Sequence, residues 1–222
     1  MKRLCIVGAG GFAREVAWLV SDINRFTMTY QFLGYVVSDL SRLGDHDSRE
    51  QVLGDFNWLE ENKGKVDVLG MGIGNPAIKS AIAAELESRF PNLEWPALVH
   101  PCVQFDRTTT ELGRGVVLCA GTIGTVNLVF EPFSMVNLAC TIGHETRIGK
   151  GCVVNPTVNL SGGVTLEEEV LVGTGAQILQ YIRVGAGATV GAGAVVNKDV
   201  PPHETVVGIP AKLLSRSAGA AS

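Results

Sequence analysis

From residue 112 onward the chain repeats every six residues, and that period leaves few folds open. Every sixth residue from Leu112 to Val196 makes a series of fifteen, of which only Gly124 is not a large apolar residue. The series two positions earlier, Val116 to Ala194, holds only small or aliphatic residues. Neither slips phase. A period of six fits neither a helix of 3.6 residues per turn nor a plain alternating strand, but it does fit a short strand followed by a corner. Three such edges close a triangular coil of eighteen residues, so residues 112–201 supply five coils. Both series should point into the prism. The glycines that follow the aliphatic site, such as Gly113, Gly143, Gly173 and Gly191, should serve corners whose dihedrals suit glycine.

Composition divides the chain near residue 100. Eleven of the fourteen aromatic residues fall between Phe12 and Phe105, as expected if large rings cannot enter a narrow prism. The first hundred residues alternate apolar runs with amphipathic stretches: Arg3 to Val7, Phe12 to Val20, Phe32 to Val37, Val66 to Met71 and Pro76 to Leu86. That β-α-β-β-α order predicts a small Rossmann-like α/β domain over residues 1–100. A β-helical domain over 101–214 and a disordered tail over 215–222 complete the expected organisation.

Eighteen basic and twenty-two acidic side chains give a formal charge of −4, so no positive field exists to collect nucleic acid or anionic lipid. The start of the chain lacks a signal-peptide core and no run is long enough to span a membrane, so a cytoplasmic protein is expected. Five cysteines at irregular spacings match neither a disulfide framework nor a zinc site and are expected to be buried packing residues, Cys102 and Cys119 included. No metal is implied.

The hexad half resembles the hexapeptide-repeat acyltransferases, whose fold is a left-handed parallel β-helix. Members usually assemble as trimers with active sites between neighbouring prisms, so the resemblance implies a homotrimer. The whole chain, a glycine-rich α/β domain followed by a prism, resembles the family of sialic-acid O-acetyltransferases and of N-acetyltransferases acting on nucleotide-linked 4-amino sugars. In that family a coil histidine followed by an acidic residue is the catalytic base, and here the pair is His144-Glu145, in Ile142-Gly143-His144-Glu145. Imidazole titrates near neutrality and can take the proton that an attacking amine or hydroxyl must lose, while a carboxylate stabilises its cationic form. A thioester is already activated, so no cysteine nucleophile is needed.

Positions matching the family's contacts to acetyl-CoA are Gly162, Thr174 and Ala192, with Lys212 placed to pair with a coenzyme phosphate. One position departs from the family. Nine residues after the base a second histidine is common near the thioester carbonyl, and here Val153 stands there. Carbonyl polarisation then falls to backbone N–H groups or to Asn155.

Gly8-Ala9-Gly10-Gly11-Phe12-Ala13 follows an expected strand and opens an expected helix, giving G-x-G-x-x-A in the setting where a phosphate approaches a helix N-terminus. A domain of about 95 residues lacks a second mononucleotide half, so a nucleotide-sugar diphosphate fits better than a nicotinamide dinucleotide. By resemblance, Gly10, Gly11, Phe12, Ser38, Asp39 and Gly74 line that pocket, with Phe12 where a histidine is frequent. His46 reads as part of a solvated charged loop, His100 as a structural residue at the domain junction, and His203 as a loop residue. The function expected is acetyl-CoA-dependent N-acetylation of the 4-amino group of a nucleotide-linked deoxy-amino sugar. The alternatives are O-acetylation of a sialic-acid-type sugar and a non-catalytic sugar-nucleotide-binding protein.

Overall fold

The computed structural model describes residues 1–214; the tail expected over 215–222 lies outside the described residues. The first domain runs β1 (Lys2–Val7), α1 (Gly11–Phe26), β2 (Tyr30–Val37), β3 (Val52–Asp55), α2 (Phe56–Glu61), β4 (Val68–Met71) and α3 (Pro76–Arg89). Its four strands are parallel in the order β3-β2-β1-β4. The sequence reading lacks β3 and α2. Both are short, and the strand is only partly buried on every residue, so no clean alternation marks it. Local chemistry sets the helix starts. Asn75 accepts from the Ile78 N–H ahead of Pro76, and Asp55 accepts from Asn57 and Trp58, whereas Gly10 opens α1 with no side-chain cap.

The second half winds as a three-sided parallel β-helix. Each edge strand has two residues, and strands pair with those eighteen positions away: Met135 with Val153, Thr141 with Asn159, Arg147 with Thr165. A two-residue strand, β5 (Leu98–Val99), already pairs with Val117–Leu118 ahead of the first hexad. The second residue of each strand points inward. From Leu118 to Val196 the whole aliphatic series is buried apart from Gly124, and the small series is buried apart from Ile182, which is half-buried. Leu112 is 37% exposed because its strand has a neighbour on one side only. At Gly124 the place of a side chain is taken by Leu128 and Phe105, 2.6 and 3.2 Å from where a Cβ would stand.

Two expectations about the prism need correction. The glycines after the aliphatic site keep ordinary dihedrals; the left-handed conformation belongs to the series from 115 to 193, which includes Asn127, Phe133, Ala139, Glu145, Thr157, Glu169 and Tyr181 as well as glycines. What selects glycine after the aliphatic site is close approach of the next coil. A Cβ at Gly143 would lie 2.4 Å from the Gly162 nitrogen, and one at Gly173 would lie 2.5 Å from that of Ala192. Aromatics are not wholly excluded either: Phe130 occupies an inward site and is buried in the prism core.

The three faces differ chemically. The face carrying Val117, Met135 and Val153 is covered by the first domain, whose Val16 and Leu19 on α1 join these residues in one buried cluster. Lys79 of α3 reinforces that contact by donating to the Cys152 carbonyl at 3.1 Å. A second face presents Ile123, Thr141, Asn159, Gln177 and Val195, none of them charged. The third carries Arg147 and Arg183, paired with Glu131 and Glu167.

Candidate functional site

His144 and Glu145 sit on the edge that joins the uncharged face to the charged one, between the strands Thr141–Ile142 and Arg147–Ile148. The corner is fixed by backbone bonds from Gly143 N–H to Leu160 C=O, Glu145 N–H to Val126 C=O and Gly163 N–H to His144 C=O, at 2.8, 3.0 and 2.7 Å. Glu145 adopts φ 59°, so its side chain leaves the corner in a direction that an ordinary helical or extended residue would not give. Both side chains project outward, 53% and 57% exposed, with His144 Nδ1 3.5 Å from Glu145 Oε2. The ring lies on the bare backbone of the next coil. A Cβ on Gly162 would stand 2.4 Å from Nε2 and 2.5 Å from Cε1. Gly143 and Gly162 thus make a floor without side chains, and the imidazole rests on it with Nε2 turned away from the carboxylate.

Asn155, Thr174 and Ala192 occupy a different edge, the one joining the covered face to the uncharged face. Within one chain, therefore, Gly162 lies against His144, and the other candidates are separated from it by the width of the uncharged face. Asn155 spends its backbone on the coil, with N–H to the Val172 carbonyl and its own carbonyl accepting from Cys140 Sγ. Thr174 and Ala192 stack on the same edge above it, beside the close-packed glycines Gly173 and Gly191. Lys212 lies in the closing antiparallel strand Lys212–Leu213 and is exposed. Val153, where the resemblance would place a second histidine, is 1% exposed beneath the first domain.

In the first domain, the carboxyl ends of β1 and β2 and the segment after β4 surround a cleft of about 190 Å³ lined by Gly8, Ala9, Ser38, Asp39, Arg42 and Asp47, among others. Gly8 adopts φ 100°, and Gly72 lets α1 approach so closely that a Cβ there would be 2.7 Å from that of Ala13. Ser38 and Asp39 line the cleft. Gly10 and Gly11, at the start of α1, and Gly74, with open space around it, do not line the cleft. Phe12 does not line the cleft but is half-buried against the cluster shared with the prism. The Asp39 carboxyl is held below the usual carboxylate range by the Ser41 hydroxyl and N–H, with Arg42 3.3 Å away.

The charged segment around His46 is not merely a solvated loop. Ser48 N–H bonds the Ala9 carbonyl, Arg14 donates to the His46 carbonyl, and Asp47 sits over the glycine-rich turn, 3.4 Å from where a Gly10 Cβ would be. Sequence reasoning passed over Asp47 and Arg42 because the segment has no periodicity. It also passed over Tyr181, whose ring is 69% exposed on the His144 edge and covers Gly163. The signal was there: Tyr181 is the one aromatic residue beyond Phe133. Among the described residues no group of three or more His, Cys, Asp or Glu side chains could hold a metal, and no helix is long and apolar enough to cross a membrane.

A family model described as the PglD N-terminal domain matches residues 3–86. Over that stretch, the first domain is similar to the PglD N-terminal domain. The matched domain joined to a three-sided β-helix is an architecture that several solved structures share along nearly their whole length. WeeI from Acinetobacter baumannii AYE is 27% identical, with 96% of this chain and 100% of that one covered and a TM-score of 0.80. The acetyltransferase domain of PglB from Neisseria gonorrhoeae FA1090 has the same identity and coverage, with a TM-score of 0.71. PerB from Caulobacter crescentus, solved with CoA and GDP-perosamine, has a TM-score of 0.83 over 97% and 98% of the two chains at 24% identity. Among curated sequences, a serine acetyltransferase of Bacillus pumilus is 43% identical over 77 residues, 34% of this chain and 36% of that enzyme. A 2,3,4,5-tetrahydropyridine-2,6-dicarboxylate N-acetyltransferase of Staphylococcus aureus is 39% identical over 79 residues, 35% and 33% of the two chains. The chain thus spans about a third of the length of these curated relatives.

Proposed function

We propose that the chain is an acetyl-CoA-dependent N-acetyltransferase acting on the 4-amino group of a nucleotide-linked deoxy-amino sugar. The observation that carries this reading is the half-exposed imidazole of His144, seated on Gly162 with Nδ1 toward Glu145 and Nε2 away from it. The neutral acceptor amine attacks the thioester carbonyl carbon, and Nε2 takes the proton that the nitrogen sheds. Glu145 holds the ring and stabilises its cationic form. The carbonyl re-forms as the carbon–sulfur bond breaks, and the coenzyme thiolate leaves with the proton returned by the imidazolium. Cys140 and Cys152 take no part: both are buried in the prism, and burial pushes their thiols up to about 11 and about 12.

The residues present suit acetyl-CoA. Glycine at 173 and 191 and alanine at 192 leave the covered–uncharged edge bare enough for a pantetheine arm to lie against backbone, and Lys212 is exposed for a coenzyme phosphate. The reported complexes of PerB with CoA and GDP-perosamine and of the PglB domain with acetyl coenzyme A support the pairing of substrates. The first domain's cleft beside the uncapped start of α1 suits the diphosphate of a nucleotide sugar.

The separation of the candidates supports assembly with a further copy, and a homotrimer is the form we propose. His144 and Asn155 flank opposite borders of the uncharged face, so packing that face against a second copy would bring one copy's base to the other's coenzyme edge. Ile123, Leu179 and Tyr181, exposed on or beside that face, favour such packing over exposure to water. Asn155 or a backbone N–H of the neighbouring copy then meets the developing oxyanion. The test is thiol release from acetyl-CoA across UDP-, dTDP- and GDP-linked 4-amino sugars, with sedimentation to count subunits. His144→Ala should lower turnover by about 10²- to 10⁴-fold. A product label that survives mild alkali marks an amide; one that is lost marks an ester.

A further inference from the structure

Outside the proposed acetyl-transfer site, one set of side chains is assembled as nucleophile, base and orienting acid. Asp22, on α1, is 8% exposed, and its Oδ2 lies 3.1 Å from His100 Nε2 while Oδ1 takes a bond from Arg25 at 2.8 Å. An ionised carboxylate only accepts, so Nε2 carries the hydrogen and Nδ1 is left with its lone pair. That lone pair accepts the Cys102 N–H at 3.2 Å and faces Cys102 Sγ at 3.0 Å. On its far side the sulfur receives the Gly121 N–H at 3.3 Å, from the next coil. Glu15 borders the same recess beside His100, and with Asp22 and Arg25 completes the charged groups around the ring.

The expectation that all five cysteines are buried fails here, since Cys102 is exposed. The other four are buried, and burial pushes their thiols up to about 11 or 12. His100 is more than a junction residue. It ties α1 to the start of the prism and turns a basic nitrogen onto the thiol of an exposed cysteine.

We propose that Cys102 is a modification site for hydrogen peroxide or a small hydroperoxide, with His100 as its base and Asp22 as the positioning residue. The thiol proton passes to His100 Nδ1, and the thiolate is held by the Gly121 N–H. Sulfur attacks the nearer peroxide oxygen; the S–O bond forms as the O–O bond breaks, and the departing hydroxide takes the imidazolium proton as water. The thiol ends as a sulfenic acid and the peroxide is reduced by two electrons.

The test exposes the full-length protein to hydrogen peroxide with dimedone present and locates the adduct by peptide mass. The adduct should form at Cys102 alone, at least about tenfold faster than on N-acetylcysteine at pH 7. Cys102→Ser should abolish it and leave acetyl-transfer turnover unchanged. His100→Gln and Asp22→Asn should slow it about tenfold or more in protein whose circular dichroism is that of the parent. A rate no greater than that of N-acetylcysteine, an adduct on a buried cysteine, or equal rates in parent and folded His100→Gln would overturn the proposal. The N-acetylcysteine comparison decides the matter even if both variants fail to fold.

Discussion

Replacing Gly162 by alanine would test the seat of the proposed base, the His144 ring, while leaving that side chain in place. The added methyl would stand 2.4 Å from His144 Nε2 and 2.5 Å from Cε1, where ordinary contact begins near 3.4 Å, so the imidazole must retreat by about 1 Å. A misplacement of that size at a reacting group costs on the order of 10²-fold in rate, or about 2.7 kcal/mol of barrier. Stability should respond differently. Gly162 has no left-handed φ, so alanine suits the backbone and contributes about 0.4–1 kcal/mol through the unfolded chain, offset by displacement of a half-exposed side chain. The expected result is kcat down about a hundredfold, with Tm within a few degrees of the parent. Thiol release at saturating substrates and a thermal melt measure the two quantities. Undiminished kcat would show that the ring does not work from its seat on Gly162, and a collapse in Tm would show that the glycine serves the coil and not the ring.

Three further outcomes follow. Glu145→Gln should lower kcat less than His144→Ala does, because the base survives while its cationic form loses a partner; equal losses would give Glu145 a direct role. Burial lowers the Lys79 ammonium to about 7 from an ordinary 10.5, so between these values the unfolded chain binds a proton that the folded chain does not. Stability should therefore rise with pH across that window, by up to about 1.4 kcal/mol per unit, and urea titrations of Lys79→Met should lose the slope; an unchanged slope would refute the cause. Asp47→Asn removes a negative charge over the start of α1, and should tighten UDP, dTDP or GDP binding by about 1 kcal/mol, roughly fivefold, less at high salt. Weaker binding by calorimetry would mean that Asp47 contacts the ligand favourably.

The prism was legible residue by residue because inward sites in a triangular coil admit only apolar or small side chains, and the same six-residue clock sets both series. It was less legible where one symptom had two causes. Glycine follows the aliphatic site because of contact between coils, whereas the left-handed corner tolerates Glu145, Thr157 and Tyr181, so counting glycines cannot reveal dihedrals. His144-Glu145 was readable as a corner pair. That Asn155 lies on another edge follows from the same arithmetic, since eleven residues is not a whole coil, but the dependence on a second copy becomes plain only once the covered and charged faces are told apart. Aperiodic segments gave no such handle: the segment around Asp47 is tied down by Arg14 to His46, 32 residues apart, and the Cys102 set by Asp22 to His100, 78 residues apart, contacts that no local pattern encodes.

The proposed catalysis rests on His144 deprotonating a sugar amine as it attacks a thioester. Rapid-mixing measurement of thiol release from acetyl-CoA, started with a nucleotide-linked 4-amino sugar, tests it most directly in parent and His144→Ala protein. Release should be matched by N-acetylated sugar in the parent and slowed by about 10²- to 10⁴-fold in the variant. Release from the variant at the parental rate, or none from the parent with any of the three nucleotide-linked sugars, would contradict it.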